Sequence, residues 1–407
     1  FLESVFQKLL LNFNWWLNRT DVQGLDLFRG GFLGLDNISI IDRNKVKPSH
    51  PMEQADATAW MAAYALNLLQ IALELAQAET GAYRPYEDMA IRCLGHFVAI
   101  AEAINAPLGQ GLWDQQDGFY YDKLRVQGKI RPIKVRSVVG LIPLLAVGVL
   151  PETLFQKLPG FARKFQEFAG YFPDLCARMA FGSSRSGNGD LLLALPHPDR
   201  LRRVLAYLLD EREFLSPFGI RSVSKFHERH PFGIQLDGQW DSLEYWPGPS
   251  STHAFAGNSN WRGPVWFPVN YLIVEALRRY WSFYGEEFKV ECPTGSGHQM
   301  NLNEVASEIS SRLIRLFLPG PQGQRPCFGQ DHRYAADPHW RDCLYFNEYF
   351  HAETGQGLGA CHQTGWTALV NQLLAAKAAQ ADESEESVRR HKQKREKSPK
   401  FTAEPKQ

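Results

Sequence analysis

Apolar residues recur at intervals of three and four over long segments of the chain, and this spacing constrains the fold most. The pattern covers residues 1–18, 53–79, 85–105, 137–147, 151–169, 199–210, 264–284, 301–317 and 364–378. Residues three and four apart share one face of an α-helix, so each segment predicts a helix. Segment 53–79 carries alanines on more than one face, as a helix packed on both sides would. We therefore predict a mainly α fold.

Long connections rich in Gly, Pro and aromatic residues separate these helices, at 106–122, 213–263 and 319–363. Loops of this length are uncommon unless they carry function. Two β-hairpins are predicted inside them: 119–124 with 129–135, and 220–226 with 232–236. From residue 379 the sequence is charged and nearly free of apolar residues, which predicts disorder. We predict one domain at 1–378 and a disordered charged tail at 379–407.

Composition excludes several classes of function. The chain has 44 basic and 44 acidic residues, so it has no excess of positive charge. Neither a nucleic-acid partner nor an anionic membrane surface is therefore predicted. It has no run of eighteen uncharged apolar residues, so no membrane span is predicted. The six cysteines are scattered without paired spacing, which predicts reduced thiols in a cytoplasmic protein. The twelve histidines show no metal-binding spacing, so we predict no metal and no cofactor.

Two carboxylates stand alone among apolar and aromatic residues. Asp36 lies in a glycine-flanked loop, and Glu348 lies between Asn347 and Tyr349 in a segment without helical period. Paired carboxylates with aromatic surroundings are typical of sugar hydrolysis. Other interpretations stay open on the residues alone: Asp36 as a turn aspartate, and Glu348 as a surface glutamate paired with an arginine such as Arg341. Glu353 is a rival to Glu348, but its hydrophilic turn predicts a side chain facing water.

Five blocks, in this order along the chain, resemble the catalytic domain of glycoside hydrolase family 63. They are G-F-L-G-L-D-N at 31–37, E-Q-A-D-A-T-A-W at 53–60, K-V-R-S-V-V-G-L at 134–141, N-W-R-G-P-V-W-F-P-V-N-Y at 260–271, and the Glu348 segment followed by G-W-T-A-L-V at 365–370. The similarity runs from residue 1 to about 374 and is nearest to bacterial members. It implies an (α/α)6 barrel and an α-glucosidase-like activity on a carbohydrate.

That family inverts the anomeric centre, using an acid and a base roughly 6.5–9.5 Å apart with a water between them. The resemblance implies Asp36 as the general acid and Glu348 as the general base. The acid must hold its proton near neutral pH, so apolar burial is expected to raise its pKa. Candidate sugar-binding residues are Asn37, Asp56, Trp60, Trp113, Arg136, Trp246, Trp261, Arg262 and Trp266, with Glu53 as either a helix cap or a sugar contact. For the arginines Arg136, Arg221 and Arg262, structural ion pairing is the alternative.

The helical segments number fewer than the twelve of an (α/α)6 barrel. The amino-terminal β-sandwich of the family, and the W-D motif that its members carry on helices at the start of the barrel, are not found in this sequence. We therefore expect a partial barrel from a longer protein, weak or inactive by itself. Two alternatives remain: a hydrolase of glucosylglycerate-like or mannosylglycerate-like solutes, and a carbohydrate-binding fragment without catalysis. The oligomeric state is not predicted.

Overall fold

The computed structural model describes residues 1–18, 26–29, 35, 38–41, 51–79, 84–171, 173, 189–236, 238–250 and 261–379. Its α-helices are α1 (Leu2–Leu17), α2 (Ala55–Ala78), α3 (Pro85–Asn105), α4 (Glu152–Lys157), α5 (Pro159–Tyr171), α6 (Pro198–Leu208), α7 (Phe267–Tyr284), α8 (Leu302–Arg315), α9 (Arg333–Ala336) and α10 (370–379). Short 3-10 helices lie at Val138–Gly140, Ile142–Leu145, Lys225–Glu228, Pro326–Phe328 and Thr367–Leu369. The mainly α prediction is confirmed. The predicted charged tail beyond residue 379 lies outside the described residues.

Fifteen short strands connect the helices in the described part of the chain. They are β1 (Met52–Glu53), β2 (Trp113–Asp114), β3 (Phe119–Tyr120), β4 (Asp122–Val126), β5 (Lys129–Ile133), β6 (Val147–Leu150), β7 (Leu191–Ala194), β8 (Leu215–Ser216), β9 (Gly219–Ile220), β10 (Phe232–Leu236), β11 (Gln239–Leu243), β12 (Lys289–Glu291), β13 (Gln299–Asn301), β14 (Tyr349–Phe350) and β15 (Gly357–Leu358). One sheet has the order β1-β4-β5, and the other strands form antiparallel pairs.

Helix α2 lies at the centre of the core. Its Ala and Leu residues are buried on several faces, and it packs on α1, on α3 and on the 3-10 turn at Ile142–Leu145. The prediction of a helix packed on both sides is therefore confirmed. By length and composition α2 is one described helix that could cross a membrane, but 61% of the relevant window is buried inside the protein, as in a core helix.

The amino end of α2 is capped from a distant strand. The N-cap residue Gln54 makes no side-chain capping bond, and the backbone N–H of Ala55 instead donates to Oδ1 of Asp122 on β4, at 2.8 Å. A carboxylate at this position satisfies a free helix donor and opposes the positive end of the helix dipole. The position of α2 is thereby fixed relative to the β4–β5 hairpin.

The helix predicted at 137–147 is wrong. This segment forms two 3-10 turns and then strand β6, which pairs with β7. Pro143 lacks a backbone N–H and restricts the residue before it, so a continuous α-helix is unfavourable there. Because almost every residue in the segment is buried, its apolar spacing did not distinguish a helix from a buried strand.

One predicted hairpin is confirmed and the other is wrong. Strands β4 and β5 pair as expected, with Asp122 opposite Ile133. Strand β10 pairs instead with β11, through a turn that contains Gly238 at φ +82°. The end of the predicted strand 220–226 instead lies in the 3-10 helix at Lys225–Glu228, which begins where the Ser224 side chain accepts from the N–H of Phe226 at 3.0 Å.

Candidate active site

Isolated β-bridges bring three of the predicted site segments together. Val265 bridges Arg221 on one side and Phe350 on the other, and Ser137 bridges Val223. The Val265–Phe350 bridge has both backbone hydrogen bonds, at 2.8 and 2.9 Å. Segments far apart in sequence, around residues 137, 222, 265 and 350, are therefore adjacent.

Glu348 stands at the entrance of the hairpin formed by β14 and β15. Its N–H donates to the carbonyl of Ala360 at 2.8 Å, and the N–H of Ala360 donates back to Oε2 of Glu348 at 3.2 Å. The indole N–H of Trp366 donates to the Glu348 carbonyl at 3.2 Å. These bonds hold both the backbone and one carboxylate oxygen of a side chain that stays partly exposed.

The alternative ion pair of Glu348 with Arg341 is not present. The guanidinium of Arg341 lies 3.5 Å from Asp342. Among the described residues no cation lies within ion-pair distance of the Glu348 carboxylate. A partly exposed carboxylate without a fixed cation keeps free lone pairs for water.

A row of aromatic rings lies beside Glu348. The rings of Trp261 and Trp266 stack at 4.0 Å and 8°, and Trp266 stacks on Tyr349 at 4.8 Å and 20°. Trp366 is tilted against Trp266 at 6.4 Å. The first three side chains are almost fully buried. Burial, and then the nearby Glu348 carboxylate, raise the pKa of Tyr349. We refer to Glu348 and these four aromatic residues as the Glu348 site.

The predicted acid, Asp36, and its neighbour Asn37 lie outside the described residues. The residues on either side, Leu35 and Ile38, are buried. The carbonyl of Ser39 accepts from Nη2 of Arg262 at 3.1 Å, and Arg262 adjoins Trp261 in sequence. The chain three residues beyond Asp36 is thus tied to the segment that carries the aromatic row.

Arg262 is buried enough for its pKa to be lowered. Burial lowers the pKa of its guanidinium to about 10, with the Glu244 carboxylate opposing the shift. Its Nε–H is buried and has no hydrogen-bond partner among the described residues. Trp246 is 43% exposed, and its backbone N–H donates to the Arg262 carbonyl at 2.9 Å. An exposed indole face is a suitable stacking surface for a sugar ring.

Other candidate residues lie in different surroundings. Trp113 packs edge-on against Tyr120 at 4.8 Å and lies beneath the Arg200 guanidinium at 4.9 Å, so its contacts are with β3 and α6. Trp60 lines a groove of about 350 Å³ together with residues of α1 and α7. Neither position adjoins the Glu348 site through a described contact.

The acidic residues at the start of α2 also differ from expectation. Glu53 is neither a helix cap nor open to a sugar, because its Oε1 pairs with Nε of Arg125 at 2.7 Å and its side chain is 4% exposed. Asp56 is buried in the first turn of α2 and is engaged with the protein. Glu53 is therefore a structural ion-pair residue.

Structural ion pairing, the alternative considered for the arginines, describes Arg136. Its Nη1 lies 2.5 Å from Oε1 of Glu213, and its guanidinium lies between the rings of Tyr207 and Phe226 at 4.8 and 4.2 Å. Burial raises the pKa of Glu213, against the opposing hydrogen bond of Ser224 and the charge of Arg136. This polar group is well satisfied without a ligand.

The expectation that Glu353 faces water is wrong. Its side chain is 29% exposed and its Oε1 accepts from Arg221 and from the Tyr245 hydroxyl. Local sequence carries no signal for this pair, because Arg221 lies 132 positions away. Metal binding has no visible basis: in the described ranges no group of three His, Cys, Asp or Glu side chains is placed to hold an ion.

Part of the chain matches a family model, and most of it aligns with a longer yeast protein. Residues 186–367 match the family model of the mannosylglycerate hydrolase MGH1-like glycoside hydrolase domain. The chain is 45% identical over 392 residues to an uncharacterized protein of Saccharomyces cerevisiae, an alignment that covers 92% of this chain and 36% of that protein.

More distant similarity joins the chain to named glycosidases. It is 23% identical over 176 residues to the mannosyl-oligosaccharide glucosidase of Saccharomyces cerevisiae, and 24% identical over 177 residues to a probable mannosyl-oligosaccharide glucosidase of Schizosaccharomyces pombe. Each alignment covers 43% of this chain and 15% of the relative. The bacterial-type assignment stays a prediction. Together these similarities support a glycoside hydrolase domain of a family like family 63, and such a domain implies a carbohydrate substrate.

Proposed function

We propose that this chain is the catalytic part of an inverting glycoside hydrolase that cleaves α-glucosidic bonds in oligosaccharides or small glucosides. Glu348 is the general base and Asp36 the general acid, on a partial (α/α)6 barrel. The observation that carries the proposal is the state of the Glu348 carboxylate. One oxygen is fixed by the N–H of Ala360 at 3.2 Å, and the side chain is partly exposed beside buried aromatic rings.

The chemistry follows from that geometry. Glu348 takes a proton from a water molecule, the water oxygen bonds to the anomeric carbon, the glycosidic bond breaks, and Asp36 gives its proton to the departing oxygen. A general base requires a carboxylate that is held in a fixed direction and that has a free lone pair. The backbone bonds at Glu348 hold its carboxylate in place. Because no cation partner lies near it among the described residues, a lone pair stays free for the water molecule.

The surroundings supply candidate sugar contacts. The exposed ring of Trp246 is a candidate stacking surface for a sugar ring. Arg262 ties its own segment to Ser39, three residues beyond Asp36. Trp261 and Trp266 form the wall behind the base. Arg136, Trp113 and Trp60 are less favoured, because the structure engages them in other contacts.

The direct test follows the stereochemistry of the product by proton NMR. An inverting enzyme acting on an α-glucoside releases β-glucose first, and the α anomer appears only by mutarotation. We expect Glu348→Gln to lower kcat by roughly 10²- to 10⁴-fold while sugar affinity is kept. Initial release of α-glucose, or unchanged kcat in Glu348→Gln, would contradict the proposal.

Glu308 provides the matched control. Its side chain is 30% exposed and pairs with Arg312 at 2.8 Å on α8. Glu308→Gln removes a carboxylate of similar exposure away from the site, so we expect it to leave kcat unchanged. Because the chain spans 36% of its first relative, rates are compared between this chain and a longer protein that contains it. We expect the longer form to be faster; equal rates would contradict the partial-barrel proposal.

A second candidate is hydrolysis of a glycosylglycerate. It is favoured by the match of residues 186–367 to a domain named after mannosylglycerate hydrolase. A screen of α-linked disaccharides against glucosylglycerate and mannosylglycerate separates the two candidates. A non-catalytic carbohydrate-binding module, the third alternative, would bind sugars equally well before and after Glu348→Gln and would turn over none of these compounds.

A further inference from the structure

Four donors converge on a single oxygen of Glu353. Its Oε1 accepts from the Tyr245 hydroxyl at 2.7 Å, from Arg221 Nη2 at 2.9 Å and from Arg221 Nε at 3.1 Å, and Lys225 Nζ lies at 3.5 Å. Burial alone would raise the pKa of Glu353, but the bond from Tyr245 and the charge of Arg221 outweigh it and lower the pKa. Glu353 is therefore held as an anion.

Arg221 is itself immobilised. Its side chain is 3% exposed, and its Nη1 donates to the backbone carbonyls of Glu211, Glu213 and Leu215 at 3.0, 3.3 and 2.8 Å. Its backbone bridges Val265. A guanidinium held by several carbonyls is a rigid anchor, because moving it would break several charge-assisted hydrogen bonds at once.

The contacts of Glu353 continue along one hairpin to Glu348. Ala352 N–H donates to the Pro247 carbonyl at 3.0 Å, and His351 N–H donates to the Gln356 carbonyl at 2.8 Å. Strand β14 then pairs with β15, and Glu348 follows with its bond to Ala360. Glu353 holds the turn of this hairpin, and Glu348 lies at its open end.

The turn of this hairpin is closely packed at Gly355, so it has little room to adjust if the contacts of Glu353 are lost. Gly355 has φ +77°, and a Cβ there would lie 2.8 Å from Pro326 and 2.9 Å from the Phe218 ring. The hairpin has only two residues in each strand, and its first strand gains one more backbone partner through the Phe350–Val265 bridge. Side chains that tie the turn to the rest of the protein add to this short backbone pairing and help to fix the orientation of the hairpin.

We propose that Glu353 is a positioning residue, which fixes the orientation of the Glu348 hairpin through Arg221 and Tyr245 without touching the substrate. The proposal rests on the proposed role of Glu348 as the base. The two glutamates are five positions apart, a reach of up to roughly 16 Å in extended chain. The donors around Oε1 also leave Glu353 committed to the protein.

The test uses Glu353→Gln and Tyr245→Phe, with Glu308→Gln as control. Tyr245→Phe removes one hydroxyl donor and keeps the ring, so it remains informative if Glu353→Gln folds poorly. Hydrogen exchange followed by mass spectrometry reports peptides that cover residues 346–358. We expect exchange there to accelerate roughly tenfold or more in both variants, at the Glu348 end as well as at the turn, with helix α8 unchanged.

Kinetics of the same variants give the second measurement. A positioning role predicts a fall in kcat of roughly 10-fold or more with KM nearly constant, since small misplacement of a catalytic group is costly. Faster exchange confined to the turn, with the Glu348 peptide still protected, would overturn the proposal, as would a kcat unchanged in both variants. If the wild-type chain and its longer form hydrolyse nothing, the proposed function fails, while exchange at Glu348 still decides whether Glu353 positions it.

Discussion

A single methyl group at Gly359 should displace Glu348, the proposed general base. Gly359 has φ +70°, and a Cβ built there lies 2.5 Å from Oε2 of Glu348 and 2.7 Å from Cε1 of Tyr349. Ordinary contact begins at 3.4 Å, so the carboxylate must move by about 0.9 Å. The carboxylate is the end of a flexible side chain, whereas Tyr349 is part of the buried aromatic row. Most of the adjustment should therefore fall on Glu348.

The expected magnitudes separate two effects of Gly359→Ala. A displacement near 1 Å costs on the order of 10²-fold in rate when a reacting group is misplaced. The left-handed backbone adds roughly 1–2 kcal/mol of destabilisation for any non-glycine residue. We therefore expect kcat to fall on the order of 100-fold with a modest loss in the free energy of unfolding.

Gly323→Ala is the matched control. Gly323 has φ +78°, and a methyl group added at its Cα would have no neighbouring atom within 4 Å, so this substitution carries the backbone cost without the clash. Initial rates give kcat and KM, and urea denaturation gives the free energy of unfolding. If Gly359→Ala keeps the wild-type kcat, or if Gly323→Ala loses as much activity, then a steric effect on Glu348 is refuted.

Three further predictions concern acid sensitivity and packing. Burial lowers the pKa of His227 to about 4, so between pH 6.5 and 4 the unfolded chain binds a proton that the folded chain does not. We expect the free energy of unfolding to fall by up to roughly 3 kcal/mol over that pH range. A free energy of unfolding that stays constant in denaturant titrations across that range would be inconsistent with this. The pKa of Glu353 is lowered in the folded state, so this residue contributes stability above its unfolded pKa that is lost as the pH falls through its folded pKa. Glu353→Gln should therefore reduce the slope of the free energy of unfolding against pH in that acidic range. An identical slope in the variant and the wild type would argue against this contribution. Trp266 is 6% exposed within the aromatic row, so Trp266→Ala should cost roughly 3–5 kcal/mol in urea denaturation, and a cost below about 1 kcal/mol would show that the row is not packed as described.

Local sequence patterns predicted the elements that are stabilised mainly by interactions between residues close together in the chain. The run of Ala and Leu in α2 favours a helix in any surroundings, and the β4–β5 hairpin turns at Gln127 and Gly128, both at positive φ. The segment at 137–147 failed because uniform burial removes the polar face on which periodicity depends. The second hairpin failed because the end of its predicted first strand lies in the 3-10 helix at Lys225–Glu228, and β10 pairs with β11 across the turn that contains Gly238.

The candidate site was predictable in part. The Glu348 segment and the tryptophan-rich block at 260–271 were identified from their aromatic, glycine-rich sequences. The structure pairs Val265 of that block with Phe350 of the Glu348 segment. The tie between Glu353 and Arg221 was missed because its partners come from loops more than a hundred residues apart, and long-range ion pairs leave no local trace. Asp36 remains a prediction from sequence.

The cap that Asp122 provides to α2 affects how the domain can be made. Any stretch of chain that ends before residue 122 leaves the central helix without its terminal acceptor, even if all of its own residues are present. A nascent chain therefore gains this cap only after the β4–β5 hairpin has been synthesised. Shortened versions that stop between α3 and this ribbon should be poor starting points for engineering.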